Sequence, residues 1–173
     1  MEEKKADMLA PNAEFSTSVV NRKIYAIGGL TPWATGFSRV EEYDSATDTW
    51  RERADMPTPR WGLSTSVVNG KIYAIGGTDV WIGTTTQGLQ TVEEYDPVTD
   101  TWRKRADMPT ARFWFTTSAV NGKIYAIGGK QSKAPADPSL SIVEEYDPGF
   151  VLEDKAKSVG AKGKLATTWG KVK

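Results

Sequence analysis

The chain of 173 residues contains no cysteine and no histidine. Their absence removes disulfides, thiolate nucleophiles, Ser-His-Asp and Cys-His arrangements, and the usual zinc, copper and haem ligands. Net charge is also absent, with 22 Lys+Arg against 22 Asp+Glu. No global attraction to nucleic acid or to an anionic membrane is therefore expected. No apolar run approaches the ~18 residues that a membrane helix needs. The start, Met1-Glu2-Glu3-Lys4-Lys5, is charged with no apolar stretch behind it and does not read as a signal peptide. No cofactor is expected. What is present is an ordinary globular composition, 39% hydrophobic and 25% charged. Seven tryptophans stand out against it.

The chain is built from internal repeats. Residues 16–29, STSVVNRKIYAIGG, return at 64–77 with 13 of 14 identical, and again at 116–129 with 12 of 14 matching the second copy. Residues 40–58, VEEYDSATDTWRERADMPT, return at 92–110 with 16 of 19 identical, and the first five residues of that block return at 143–147. Tyr25, Tyr73 and Tyr125 are 48 and 52 residues apart, so the unit is roughly 50 residues long. Each unit reads as four short strands. In the second unit these are 63–68, 71–75, 91–96 and 101–106. Asn69-Gly70 signals a type I′ hairpin, because both central positions need φ > 0. Four strands in a unit of this length make a propeller blade. The β-branched content and the Gly and Pro punctuation exclude a helical solenoid.

The glycine pairs Gly28-Gly29, Gly76-Gly77 and Gly128-Gly129 are each followed by a Tyr: Tyr43, Tyr95 and Tyr146. Trp50 and Trp102 then stand seven positions after theirs. Taken in order, these elements resemble the kelch repeat over residues 2–147. The resemblance implies an all-β fold of four-stranded antiparallel blades, about three of them, with the first strand of each nearest a central channel and the fourth outermost.

The pattern is incomplete at both ends. Lys5-Ala6-Asp7-Met8 aligns with Arg53-Ala54-Asp55-Met56, so residues 1–14 read as the fourth strand of a preceding or clasped blade. Residues 15–58, 59–110 and 111–147 are the three repeats, the last incomplete. Glu153 stands where the third Trp is expected, and Trp169 follows 16 residues later. Residues 148–173 read as a basic tail that either stays solvated, supplies a terminal strand, or anchors an acidic partner. Propeller rings need roughly four to eight blades, and three leave apolar faces open. Either two copies pair around a two-fold axis as a homodimer with a six-bladed ring, or the chain is an arc of a longer ring.

Comparing the copies separates scaffold from candidate function. The glycine pairs suit close backbone approach or φ > 0. Trp50 and Trp102 suit packing between blades. The repeated Glu-Glu-Tyr-Asp looks like a paired-carboxylate site, but it recurs unchanged and reads as scaffold, and no catalytic residue is expected. The loops between second and third strands differ completely and carry Trp33 and Trp81. Nearly invariant strands with divergent loops suit a recognition scaffold, and Trp and Arg often dominate interface energy. The loops entering the first strands carry Arg60-Trp61 and Arg112-Phe113-Trp114, with Asn12 at the corresponding point of the first unit. The kelch resemblance implies that Arg60 and Arg112 face the channel mouth. A salt bridge to a neighbouring blade is the other reading. Strand alternation puts Trp61 and Phe113 on one face, and Arg112 with Trp114 on the other.

The expected function is a non-catalytic interaction module that grips a protein or peptide through Arg60, Arg112, Trp33, Trp81, Trp61 and Trp114. Glycan binding by stacked indoles is the alternative. A sialic-acid-mutarotase-like enzyme is a lesser one, while a copper oxidase lacks its ligands. No adaptor domain is read beside the repeats, so a ubiquitin-ligase adaptor is not expected. Neither nucleic acid nor membrane is an expected partner.

Overall fold

The structure, a computed structural model, describes residues 3–30, 36–79, 86–134, 138–149 and 168–172. It holds three four-stranded antiparallel sheets and, among the described residues, no helix. The first blade runs β1 (Ser16–Val20), β2 (Lys23–Ile27), β3 (Val40–Asp44) and β4 (Thr49–Arg53) in sequence order. The second runs β5 (Ser64–Val68), β6 (Lys71–Ile75), β7 (Val92–Asp96) and β8 (Thr101–Lys104). The third runs β9 (Thr116–Val120), β10 (Lys123–Ile127), β11 (Val143–Asp147) and β12 (Thr168–Lys171). The sheets do not close into a ring.

Turn chemistry fixes the register of the first hairpin in each blade. Asn69 and Gly70 have φ of 51° and 73°, and Val68 pairs with Lys71 across them. Asn21 and Arg22 make the same turn at 50° and 66°. Arg22 thus holds a left-handed conformation that glycine would hold with less strain. The outer hairpins set Tyr43 opposite Trp50 and Tyr95 opposite Trp102, with ring centroids 5.0 Å apart in both pairs. Each tyrosine hydroxyl donates to an aspartate of the next turn, Asp48 or Asp100, at 2.6 Å.

The tail and the start resolve differently. Trp169 lies opposite Tyr146 in β12, with centroids 4.8 Å apart, so a terminal strand completes the third blade. The segment expected as a fourth strand at the start forms no ladder over residues 3–12, because no third strand lies beside it. It still meets the first blade as the outgoing segments meet the others. Ala6 N–H donates to Asp48 as Ala54 N–H does to Asp100, both at 2.9 Å.

Blades are joined by seams of constant composition. Val20, Tyr25, Ile27, Val40 and Met56 of the first blade pack on Leu63, Val67, Ile72, Tyr95 and Trp102 of the second. Val68, Tyr73, Ile75, Val92 and Met108 pack on Phe115, Ile124, Tyr146 and Trp169 of the third. Burial of these side chains is the main attraction between blades. Directional contacts then fix the alignment. Tyr25 meets Tyr95 edge-on at 5.9 Å, and Tyr73 meets Tyr146 at 6.0 Å. Ser18 donates to Thr65, and Ser66 to Thr117, at 2.8 Å. Trp102 Nε1–H donates to Ala54 O of the preceding blade at 2.9 Å, and Trp169 Nε1–H to Ala106 O at 3.2 Å. Trp50 makes the corresponding bond to Ala6 O at 3.0 Å.

Candidate functional site

The segments that lead into the first strands lie beside the loops between second and third strands, at one end of the sheets. Short bridges join them: Ala13 to Leu30, Trp61 to Thr78, and Phe113 to Lys130. The described parts of the divergent loops therefore lie against the entering segments and share one surface with them.

Arg60 and Arg112 do not belong to that surface. Both are fully buried. Arg60 Nη1 donates to Gly76 O at 2.6 Å and Thr91 O at 3.1 Å. Its Nη2 donates to Ala74 O at 3.1 Å and to Glu93 at 2.8 Å. Arg112 repeats the arrangement with Gly128 O at 2.9 Å and Glu144 at 2.8 Å. The ion pair is made to the third strand of the same blade, not to a neighbouring blade. Burial lowers the pKa of both guanidiniums, and the paired carboxylates only partly oppose it. Their main chains face the other way. Arg60 O accepts from Gly29 N–H at 3.0 Å, and Arg112 O accepts from Gly77 N–H at 2.9 Å. A Cβ on Gly28 or Gly76 would stand 2.6 Å from the same carbonyls, so the first glycine of these two pairs is needed for blade contact. In the first blade Asn12 Nδ2 donates to Gly28 O at 2.8 Å and replaces part of the arginine's role.

The repeated Glu-Glu-Tyr-Asp carboxylates are likewise engaged. Glu93 and Glu144 also accept from Thr58 and Thr110, at 2.8 and 2.6 Å. Glu41 accepts instead from Leu9 N–H and Arg39, both at 3.2 Å. Glu42 is buried and accepts from Lys23, Arg51 and Arg53 at 2.7, 2.9 and 2.6 Å. Burial alone would raise its pKa, but the bonds from Lys23, Arg53, Tyr25 and Arg51 outweigh burial and lower it to about 2. Among the described residues no cluster of three or more acidic side chains is placed to hold a metal ion.

The entering segments carry a candidate site, built on their left-handed positions. Glu14, Gly62 and Trp114 are equivalent residues, with φ of 55°, 60° and 49°. Gly62 N–H donates to Glu14 O, and Trp114 N–H to Gly62 O, each at 2.9 Å, so main-chain bonds step from blade to blade along the inner end. A Cβ on Gly62 would stand 3.1 Å from the Trp114 ring. The bare glycine lets the indole reach across the middle blade, where Nε1–H donates to Glu14 at 2.9 Å. Trp61 and Phe113 are buried beneath, with centroids 5.8 and 5.0 Å from Trp114. Lys133 Nζ stands 4.9 Å from the Trp61 ring and 4.8 Å from the Trp114 ring, a double cation–π contact. Desolvation lowers its pKa, against the opposing charge of Glu14. Trp114 remains 42% exposed.

Of the six expected binding residues, then, Trp114 is presented to solvent, Trp61 supports it from below, and the two arginines are structural. Trp33 and Trp81 lie outside the described residues. Strand alternation misplaces Trp114, because its positive φ turns it onto the side of Trp61 and Phe113. Sequence reasoning misses Glu14 and Lys133. Their only signal in the sequence is that they depart from the repeat. At the opposite end, a polar cleft of about 310 Å³ is lined by Lys71, Tyr73, Glu94, Arg103 and Pro148 among others. Its Lys71 pairs with Asp96, and its Arg105 donates to Glu94.

Three comparisons place this architecture. The Kelch motif model matches residues 11–57, 59–109 and 113–150. Kelch-like protein 25 of Rattus norvegicus is 38% identical over 150 residues, which are 84% of this chain and 17% of that protein. Kelch repeat and BTB domain-containing protein 12 of Homo sapiens is 39% identical over 59 residues, 32% of this chain and 10% of that protein. The chain thus spans under a fifth of the length of either relative. The solved structure of YjhT superposes with a TM-score of 0.73 at 17% identity, over 94% of this chain and 52% of that one. Kelch repeats are typically protein-interaction modules. Three motif matches over most of the chain, on three blades joined by repeated seams, make this protein a member of the kelch-repeat family.

Proposed function

We propose that the chain is a non-catalytic module that binds a protein partner through the loop end of its blades, with Trp114 as the central contact. The observation that carries this reading is the half-exposed Trp114 indole, held by Glu14 and backed by Trp61, Phe113 and Lys133. An indole fixed in advance loses little freedom on binding, and Trp is the residue that most often anchors an interface. Commitment of Glu93 and Glu144 to buried arginines supports a non-catalytic reading, since those carboxylates are not free for acid–base work. The exposed indole face also suits a sugar ring, which keeps glycan binding as a second reading.

Selection of peptides from a displayed library against the immobilised chain, followed by titration, tests the proposal. Trp114→Ala is expected to weaken the selected peptides by roughly 30-fold or more, and Lys133→Ala by less, with the melting transition retained. Equal binding by Trp114→Ala would overturn the assignment. A tryptophan fluorescence shift with a glycan panel and none with peptides would favour the second reading. Faster anomeric exchange of sialic acid in its presence would show an enzyme.

A further inference from the structure

Among the described residues two faces of the arc stay open, and the chain's own seams define what fits them. Val20 and Val68 are 5% and 4% exposed, but their equivalent Val120 is 52% exposed. Ile27 and Ile75 are fully buried, but Ile127 is 41% exposed. Tyr125 and Val143 complete this open trailing face. On the other side, Val67 is partly buried in the first seam, whereas its equivalent Val19 is 62% exposed. Phe15, Ile24, Tyr43 and Trp50 stand with Val19 where the other blades present Leu63 or Phe115, Ile72 or Ile124, and their own Tyr and Trp. Each component of the two internal seams therefore has a counterpart of like chemistry on one of the open faces. The methionine is included, since Met8 lies two residues past Ala6, as Met56 lies two past Ala54.

We infer that the occupant of the trailing face of the third blade is the leading face of the first blade in a second copy of this chain. Two copies related by a two-fold axis along the channel would form two such seams and a six-bladed ring. The directional contacts carry over one by one. Tyr125 meets Tyr43 of the second copy edge-on, as Tyr25 meets Tyr95. Thr116 and Ser118 meet Thr17 of the second copy, as Ser64 and Ser66 meet Thr117. Gly129 N–H finds the Asn12 carbonyl of the second copy, as Gly77 N–H finds that of Arg112. Exposed Glu3, Lys4 and Lys5 give way to β12 of the second copy, while Ala6 keeps its bond from Trp50. The arc matches 52% of the YjhT chain, so two arcs have the extent of that one fold.

Light scattering on a size-exclusion column tests this through opposite faces. The intact chain is expected near 38 kDa, twice its 19.0 kDa. Ile127→Glu puts a charge in the trailing half of both seams, and Val19→Glu puts one in the leading half. Both sites are exposed in the single chain, so each variant should keep its β circular dichroism and run as a monomer, with association at least ~100-fold weaker. Mixing the two variants should restore a dimer, because one seam between them is free of either charge. Val98→Glu, at a turn outside both faces and 79% exposed, should remain dimeric. A folded monomeric wild type would overturn the inference and assign the faces to another occupant, such as further blades of a longer polypeptide. A dimer indifferent to both variants, a mixture that stays monomeric, or open-ended oligomers would overturn it equally.

Discussion

Arg60→Met separates a structural arginine from a binding one. The substitution removes four donated bonds, at 2.6, 3.1, 3.1 and 2.8 Å. It leaves Glu93, only 3% exposed, with a bond from the Thr58 hydroxyl and no cation in place of the guanidinium. Hydrogen bonds to a charged group are worth about 1.5–3 kcal/mol each, so the gross loss is about 6–12 kcal/mol. Against this, the buried guanidinium no longer needs several kcal/mol of desolvation. The net cost expected for breaking such a pair is about 3–5 kcal/mol. With a urea m-value of about 2 kcal/mol/M, the midpoint should fall by about 2 M. Urea unfolding followed by tryptophan fluorescence and by circular dichroism reads this directly. The double variant Arg60→Met/Glu93→Leu removes the stranded charge as well and should recover most of the loss. A single variant that loses under about 1 kcal/mol, or a double variant as unstable as the single, would refute the reasoning. Arg60 would then contribute little to the blade and would regain its claim to a ligand.

Glu42 should confer acid sensitivity. Its folded pKa of about 2 lies below the ordinary 4.5, so its contribution is fully present above pH 4.5. It is lost as pH falls from there toward 2. The size is on the order of 3 kcal/mol, and Glu42→Gln should flatten the stability–pH curve over that interval. Arg22→Gly should stabilise by about 1 kcal/mol in the same unfolding assay, because the turn holds Arg22 at φ 66°. Trp169→Phe should cost about 1 kcal/mol, the worth of its bond to Ala106 O, and Trp102→Phe a similar amount. No effect at Trp169 would count against β12.

The repeat carries the architecture openly. Identical strand blocks, Asn69-Gly70 and the Tyr–Trp spacing lead to four-stranded blades, and the Tyr146–Trp169 pair survives an insertion that hides it from simple spacing. The arginines mislead for a definite reason. Their acceptors are mostly main-chain carbonyls, Gly76 O, Ala74 O and Thr91 O, and a carbonyl has no letter in a sequence. Only Glu93 and Glu144 are visible there, and they look like one motif in place rather than the far half of an ion pair. Trp114 fails on geometry. Alternation assumes extended backbone, and φ 49° breaks it. The site around Trp114 is half legible as divergent entering segments, but its reach to Glu14, 100 residues away, depends on Gly62 having no side chain.

The left-handed positions at Glu14, Gly62 and Trp114 also bear on how such a chain can diversify. Their blade-to-blade bonds are made by main chain alone, so a copied blade inherits the joint whatever residue it bears there. An acid, a hydrogen and an indole already share one backbone shape. Duplication can lengthen the arc while the side chains at such points change, and novelty in recognition need not wait for a new scaffold.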